Sequence, residues 1–289
     1  MTALAWILIP FVLLFGIMRL FAFKVYALKL TPHHETPEKF GIPFEEIRFP
    51  TRNERSLYGW WMPSRTNPES SPTLVLVHGW SRNLGRMLRY IEHLYPLNYN
   101  LLAFDARHHG SSDKDGHSSM FKFGQDVQSA VKYATTRNID PDKIGVIGLS
   151  IGGAGATYAS GIEPAIKAVV TVGAPAHPVD VMTQEFKRHH LPTPVIWYLL
   201  RLIESKIGAP YEEFAPVNNI AKSQADFLVI HGEKDKVVPL SQGEKLRNAA
   251  RDHQCDYWRI PDYGHSNCHH HPDFWDRMHA FFQQKLFMP

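Results

Sequence analysis

Two cysteines in 289 residues, Cys255 and Cys268, are too few for a disulfide framework and are compatible with a reducing compartment. The chain also lacks an excess of either charge: 31 Lys and Arg stand against 28 Asp and Glu, a formal net of +3. No basic run and no alternation of basic and aromatic residues is present, so the electrostatic footprint of a nucleic-acid binder is missing. There is no internal repeat and no low-complexity linker, which excludes a solenoid or an array of tethered modules. What remains is 44% hydrophobic residues, enough for a substantial core in one globular domain with an appendage.

The appendage is the one long apolar run. Met1 to Met18 carries no charged side chain, and Arg19 and Lys24 follow it. About 20 apolar residues are what a helix needs to cross a bilayer. A secretory signal peptide would place positive charge before the run, and none is there, although Val25-Tyr26-Ala27 is a cleavage-like sequence. Residues 1–28 are therefore expected to be a single-pass transmembrane helix held by membrane lipid, and 29–289 the folded domain. Arg19, Lys24 and Lys29 all follow the run, so the positive-inside bias puts the domain in the cytoplasm.

Beyond the run, short apolar segments alternate with helical patterns. Phe44 to Pro50 and Leu57 to Pro63 read as an antiparallel pair. Thr73 to Val77, Leu101 to Asp105, Ile144 to Leu149, Ala168 to Val172, Phe227 to His231 and Tyr257 to Ile260 read as six further strands. Helices are expected near 83–95, 121–137, 152–160, 241–252 and 273–286. That alternation predicts a mostly parallel eight-stranded sheet covered on both faces, with its site at the carboxyl ends of the strands.

Gly148-Leu149-Ser150-Ile151-Gly152 lies between a strand pattern and a Gly/Ala-rich helix pattern. A G-x-S-x-G run in that context predicts a nucleophile elbow, where a tight turn projects the serine beyond the sheet. A serine needs a base, and the base needs a carboxylate to orient it. Asp235 follows the Phe227 to His231 strand and is the expected acid, with Glu233 as alternative. His265, in the loop after the last strand, is the expected base; His269, His270 and His271 are its rivals among 17 histidines. Cys268 with these histidines raises the thought of a metal site, but adjacent histidines do not easily converge on one ion and the usual ligand spacing is absent. No metal and no cofactor is expected. Backbone N–H groups of Trp80, after the Thr73 to Val77 strand, and of Ile151 are expected to form an oxyanion hole. His78 precedes the serine and reads as structural.

Four motifs carry a family resemblance: His78-Gly79-Trp80, Asp105-Ala106-Arg107-His108-His109-Gly110-Ser111-Ser112, Gly148 to Gly152, and Gly232 to Pro239 followed by Gly264-His265. Over roughly residues 44–286 the chain resembles the α/β-hydrolase superfamily, in particular its monoacylglycerol-lipase-like and serine-aminopeptidase-like branch. The second motif usually reads D-x-R-G-H-G-x-S in that branch, and His108 stands in place of the first glycine, which leaves that loop's conformation open. Asp105 and Arg107 are expected to organise the loop.

The alternation breaks between Ala174 and Ala225. The resemblance implies a cap there, about 176–225, roofing an apolar acyl pocket; an ordinary core helix is the alternative. Ile196, Leu199, Leu200, Ile203 and Ile207 make one helical stripe. Trp197, Tyr198 and Leu202 are the expected substrate-binding residues, at the acyl site or the lipid surface. The resulting expectation is a membrane-anchored serine esterase of lipase-like type acting on a small-molecule acyl ester through Ser150, Asp235 and His265. An aminopeptidase or thioesterase on the same fold, or a non-catalytic ligand-binding relative, is the alternative.

Overall fold

The protein's structure, a computed structural model, describes residues 31–287 together with Gly16 and Leu20. The expected membrane helix of residues 1–28 lies outside the described residues but for those two, and among the described residues no helix is long and apolar enough to cross a membrane.

Eight strands form one sheet in the order β1-β2-β4-β3-β5-β6-β7-β8. They are β1 (Glu45–Pro50), β2 (Ser56–Met62), β3 (Thr73–Val77), β4 (Asn100–Phe104), β5 (Ile144–Leu149), β6 (Ile166–Val172), β7 (Asp226–Gly232) and β8 (Cys255–Ile260). β2 pairs antiparallel with β1 and β4, and every pairing from β4 to β8 is parallel. The parallel strands β3 and β4 are buried at every position, as strands covered on both faces must be.

Successive residues of a strand point to opposite faces, so each strand feeds two cores. Leu74 and Leu76 of β3 join the core under α1 (Leu88–Leu94) and α9 (Phe274–Phe282). Val75 and Val77 join the core under α2 (Met120–Thr135), α3 (Ile151–Ser160) and α8 (Leu240–Ala249). The helix expected near 83–95 is broken into a 3-10 turn Leu84–Met87, α1, and a second 3-10 turn Tyr95–Leu97. Asn83 caps the first turn, its side chain accepting the Gly85 N–H at 3.0 Å, and Pro96 cannot donate within the last. The C-terminal helix ends at Phe282 and continues as a π turn, Gln283–Phe287.

The insertion after β6 holds α4 (Pro178–Arg188), α5 (Thr193–Ile207), α6 (Tyr211–Phe214) and α7 (Pro216–Asn219). Pro178 and Pro194 lie in the first turns of α4 and α5, where a missing N–H costs nothing. Ile196, Leu199 and Ile203 of α5 are buried in a third cluster with Tyr158, Phe186 and Phe214. This is the expected stripe, without Leu200 and Ile207, which are half-buried.

Candidate active site

Parallel pairing brings the loops after five strands to one end of the sheet. Val77 of β3 is level with Gly148 of β5, Leu149 with Val172 of β6, Val172 with Ile230 of β7, and Gly232 with Ile260 of β8. The chain ends that follow carry Trp80, Ser150, Gly173, Asp235 and His265.

Ser150 sits at φ 54°, ψ −122°, between β5 and the first residue of α3. That left-handed φ is costly for a residue with a side chain and marks a tight strand-to-helix turn. The turn fits only because its flanks are bare. A Cβ on Gly148 would lie 2.5 Å from Gly152 backbone, and one on Gly152 would lie 2.4 Å from the His78 carbonyl. The Ser150 N–H is held by the Val172 carbonyl at 2.9 Å.

His265 Nδ1 donates to Asp235 Oδ2 at 2.7 Å. The other oxygen, Oδ1, accepts the Val237 and Val238 N–H groups at 2.8 Å each. The carboxylate is thus turned by its own loop, and Nδ1–H donation leaves the lone pair of His265 on Nε2. His231, buried on β7, donates Nε2–H to the Val238 carbonyl at 2.9 Å and lies 3.6 Å from Asp235 Oδ2. Burial pushes its pKa down, so it braces the acid loop as a neutral ring. Glu233, the alternative acid, instead accepts from Arg259 Nε and Nη2 at 3.1 and 2.7 Å on an exposed face.

Gly173, absent from the expected site, closes the group. It has φ +63°, and a Cβ there would lie 3.1 Å from His265 Nδ1 and 3.3 Å from Asp235 Oδ2. The sequence signal for it was a glycine directly after a strand.

Of the rival histidines, His269 meets the Arg89 guanidinium, and burial with that cation lowers its pKa to about 4. His270 packs on His269, and His271 on Trp258 and Tyr263. His78 is fully buried, accepts the Ala106 N–H on Nε2 at 3.0 Å and donates Nδ1–H to the Gly79 carbonyl at 2.7 Å.

The loop after β3 runs alongside the serine: a Cβ on Gly79 would lie 3.6 Å from Ser150 Cβ. Trp80 lines both cavities that open at Ser150. Ile151 is the first residue of α3, where an N–H has no partner within the helix.

The loop 105–112 is tightly built. His108 takes the left-handed conformation of the glycine it replaces, φ 68°. Asp105 accepts the Leu84 and Ser111 N–H groups at 2.7 and 2.8 Å, and His33 Nε2 lies 2.8 Å away. Arg107 is buried, donating Nε to Asp126 Oδ1 at 2.6 Å and Nη1 to Asp115 Oδ2 at 3.0 Å.

Two cavities meet at Ser150. One, about 290 Å³, lies under the insertion and is lined by apolar groups of Met120, Ile151, Val181, Met182, Phe186 and Phe214. Trp197, Tyr198 and Leu202, expected to line the acyl site, do not line it. α5 turns its Ile196–Leu199–Ile203 stripe inward, which leaves Trp197 63% exposed with the Arg201 guanidinium over its ring at 5.8 Å. α4 supplies the cavity wall instead, through Val181, Met182 and Phe186, apolar residues at helical spacing. The other cavity, about 350 Å³, has a mixed lining in which Ser150, His265, Arg82, Arg86, Arg89 and His269 stand beside apolar groups such as Leu149 and Val172.

Solved structures share this fold. The Pyrococcus furiosus esterase Pf2001 matches with TM-score 0.72 at 21% identity, over 90% of this chain and 97% of its own. A puromycin-hydrolyzing peptidase of Mycobacterium tuberculosis matches with TM-score 0.65 at 16% identity, over 86% of this chain and 40% of its own. An α/β-hydrolase, GrgF of Penicillium, matches with TM-score 0.67 at 14% identity, over 86% of this chain and all of its own. Among sequence relatives, the uncharacterized protein YfhR of Escherichia coli O157:H7 is 29% identical over 72% of this chain and 69% of its own. The uncharacterized membrane protein YNL320W of Saccharomyces cerevisiae is 23% identical over 89% of this chain and 85% of its own. The match to the prolyl oligopeptidase family runs over residues 122–288 and takes in Ser150, Asp235 and His265; it is not a match to the monoacylglycerol-lipase-like branch that the motifs resemble. With an α/β-hydrolase fold and that match across more than half its length, the chain belongs to the prolyl oligopeptidase family.

Proposed function

We propose that this protein is a serine hydrolase that cleaves carboxylic esters of apolar acids. The observation that carries the reading is a strained Ser150 sharing a cavity with His265, whose Nδ1 is anchored 2.7 Å from Asp235, with an apolar cavity on the serine's other side. In this mechanism Ser150 Oγ attacks the acyl carbon while His265 Nε2 takes its proton. Asp235 fixes the tautomer and stabilises the imidazolium. The Trp80 and Ile151 N–H groups stabilise the oxyanion. His265 then protonates the leaving alcohol, and water activated by the same ring releases the acid. The acyl chain lies along Val181, Met182 and Phe186.

Ser150→Ala should lower turnover of p-nitrophenyl laurate at least about a thousandfold and abolish fluorophosphonate labelling. Wild-type-like labelling of that variant would sink the assignment. Asp235→Asn should be severe, through the wrong imidazole tautomer, and Glu233→Gln close to wild type. The reverse order would move the acid to Glu233.

Amide cleavage is the second reading, favoured by the family and by the peptidase among the structural neighbours. The acidic side chain at the apolar cavity, Glu185, is engaged by Arg188 and His189 at 3.1 and 3.4 Å and is poorly placed to receive a terminal ammonium. Comparable turnover of aminoacyl p-nitroanilides would favour this reading. The apolar run Met1 to Met18, and the membrane protein among the relatives, support a single-pass anchor within residues 1–28, and Arg19, Lys24 and Lys29 after the run favour a cytoplasmic domain.

A further inference from the structure

Arg82 precedes the 3-10 turn Leu84–Met87, Arg86 lies within it and Arg89 lies in α1. All three line the cavity that holds Ser150 and His265. Among the described residues none of them is in an ion pair with a carboxylate. Arg86 Nη2 reaches only the Ser266 carbonyl, at 3.2 Å, and Arg89 meets the His269 ring. Elsewhere in this protein a buried arginine is matched: Arg107 has both Asp126 and Asp115. Arg86 and Arg89 are half-buried and Arg82 is exposed, so water screens part of their mutual repulsion, and an anion entering the cavity would relieve what remains. Burial, with the charges of Arg89 and Arg82 beside it, pushes the Arg86 pKa down, as expected for a cation cluster lacking its anion.

Which half of the substrate enters this cavity follows from the proton it must receive. On the ester-hydrolase reading above, His265 protonates the leaving oxygen, so the alcohol half must leave on the side of His265. His265 lines the arginine cavity and not the apolar one. The apolar cavity therefore takes the acid, and the arginine cavity the alcohol.

We infer that the substrate is an ester of an apolar acid with an alcohol that carries a phosphate group, and that Arg82, Arg86 and Arg89 bind that phosphate. Planar guanidinium forks match phosphate oxygens in pairs, and such charge-assisted bonds are strong and directional. The alcohol could be a soluble phosphorylated polyol or the headgroup of a lysophospholipid; the chemistry recognised is the same.

The test compares three laurate esters that share one acyl chain: 1-lauroyl glycerol, 1-lauroyl glycerol 3-phosphate and lauroyl choline. At low salt the phosphate ester should have a kcat/KM at least about tenfold above the neutral one, with the cationic ester lowest. The advantage should shrink as salt screens the cluster. In an Arg86→Gln/Arg89→Gln variant the phosphate-to-neutral ratio should fall to about one, and Arg89→Lys should keep most of it. Because the readout is a ratio within one preparation, partial loss of folded protein cancels. Equal rates on phosphate and neutral esters, or a ratio unchanged in the glutamine variant, would overturn the inference while leaving the ester-hydrolase reading intact.

A second measurement separates the two readings. Ser150→Ala protein, titrated calorimetrically with the same esters, should bind the phosphate ester more tightly than the neutral one, and the glutamine substitutions should erase the difference. Anion-selective binding by a protein that hydrolyses none of the esters would retain the site and discard ester hydrolysis. Inorganic phosphate and glycerol 3-phosphate as competitors distinguish the sources. Competition by glycerol 3-phosphate at low millimolar concentration supports a soluble polyol. Lack of competition, with full selectivity on lauroyl esters, supports a lipid.

Discussion

At the residue scale the site depends on positions with no side chain as much as on those that have one. Gly173 was not legible as part of the site, because a glycine after a strand has many explanations and only the sheet order puts it against the dyad of β7 and β8 loops. A Cβ there would press on His265 Nδ1 and Asp235 Oδ2 at 3.1 and 3.3 Å, and its φ of +63° is one that alanine adopts at a cost. Gly173→Ala should therefore fold, with a slightly lower melting temperature, while kcat on p-nitrophenyl laurate drops roughly tenfold to a hundredfold. An unchanged kcat would show that the dyad tolerates displacement. Ser150, Asp235 and His265, by contrast, could be proposed from the chain alone. G-x-S-x-G between strand and helix, and chain order after it, are local signals, and the turn that seats the serine excludes bulk at Gly148 and Gly152 for reasons visible in the spacing.

At the scale of elements, the strands were readable because a buried parallel strand must be continuously apolar, and their ends fall within two residues of expectation. The insertion was readable as an insertion but not in its orientation. A helix such as α5, apolar over more than one face, does not declare which face the core will take. Ile196, Leu199 and Ile203 take it, and Trp197 is left to solvent. The wall of the apolar cavity therefore belongs to α4. Phe186→Ala should shift the preference between butyrate and laurate esters by roughly tenfold or more, since each lost apolar contact is worth about 1–3 kcal/mol of discrimination. Trp197→Ala should leave that preference unchanged. A shift from Trp197→Ala comparable to that from Phe186→Ala would restore α5 to the substrate site.

At the scale of the molecule, the expected division into an appendage at 1–28 and a domain at 29–289 has consequences for the first described residues. Asn83 Nδ2 donates to the Thr31 and Pro32 carbonyls at 2.8 and 3.0 Å, and His33 stacks on Tyr58 with ring centroids 5.4 Å apart. His33 also reaches Asp105, the carboxylate that ties the loop 105–112 to the segment leading into α1. Burial pushes the Asp105 pKa up, but His33, His78 and the Ser111 N–H together outweigh it and hold the carboxyl below its usual range. Residues 31–33 thus pack on the domain, and a boundary at 28/29 is compatible with those contacts. A chain lacking residues 1–28 should remain folded and as active on p-nitrophenyl laurate as the full chain. A chain lacking residues 1–36 strips a buried carboxylate of one partner, a loss of about 1–3 kcal/mol. Its melting temperature should fall by roughly 2–12 °C for a domain of this size. The full chain should stay with membranes through a carbonate wash, and the chain lacking 1–28 should not. Equal destabilisation by the two truncations would mean that residues before 29 pack on the domain, and release of the full chain by carbonate would remove the anchor.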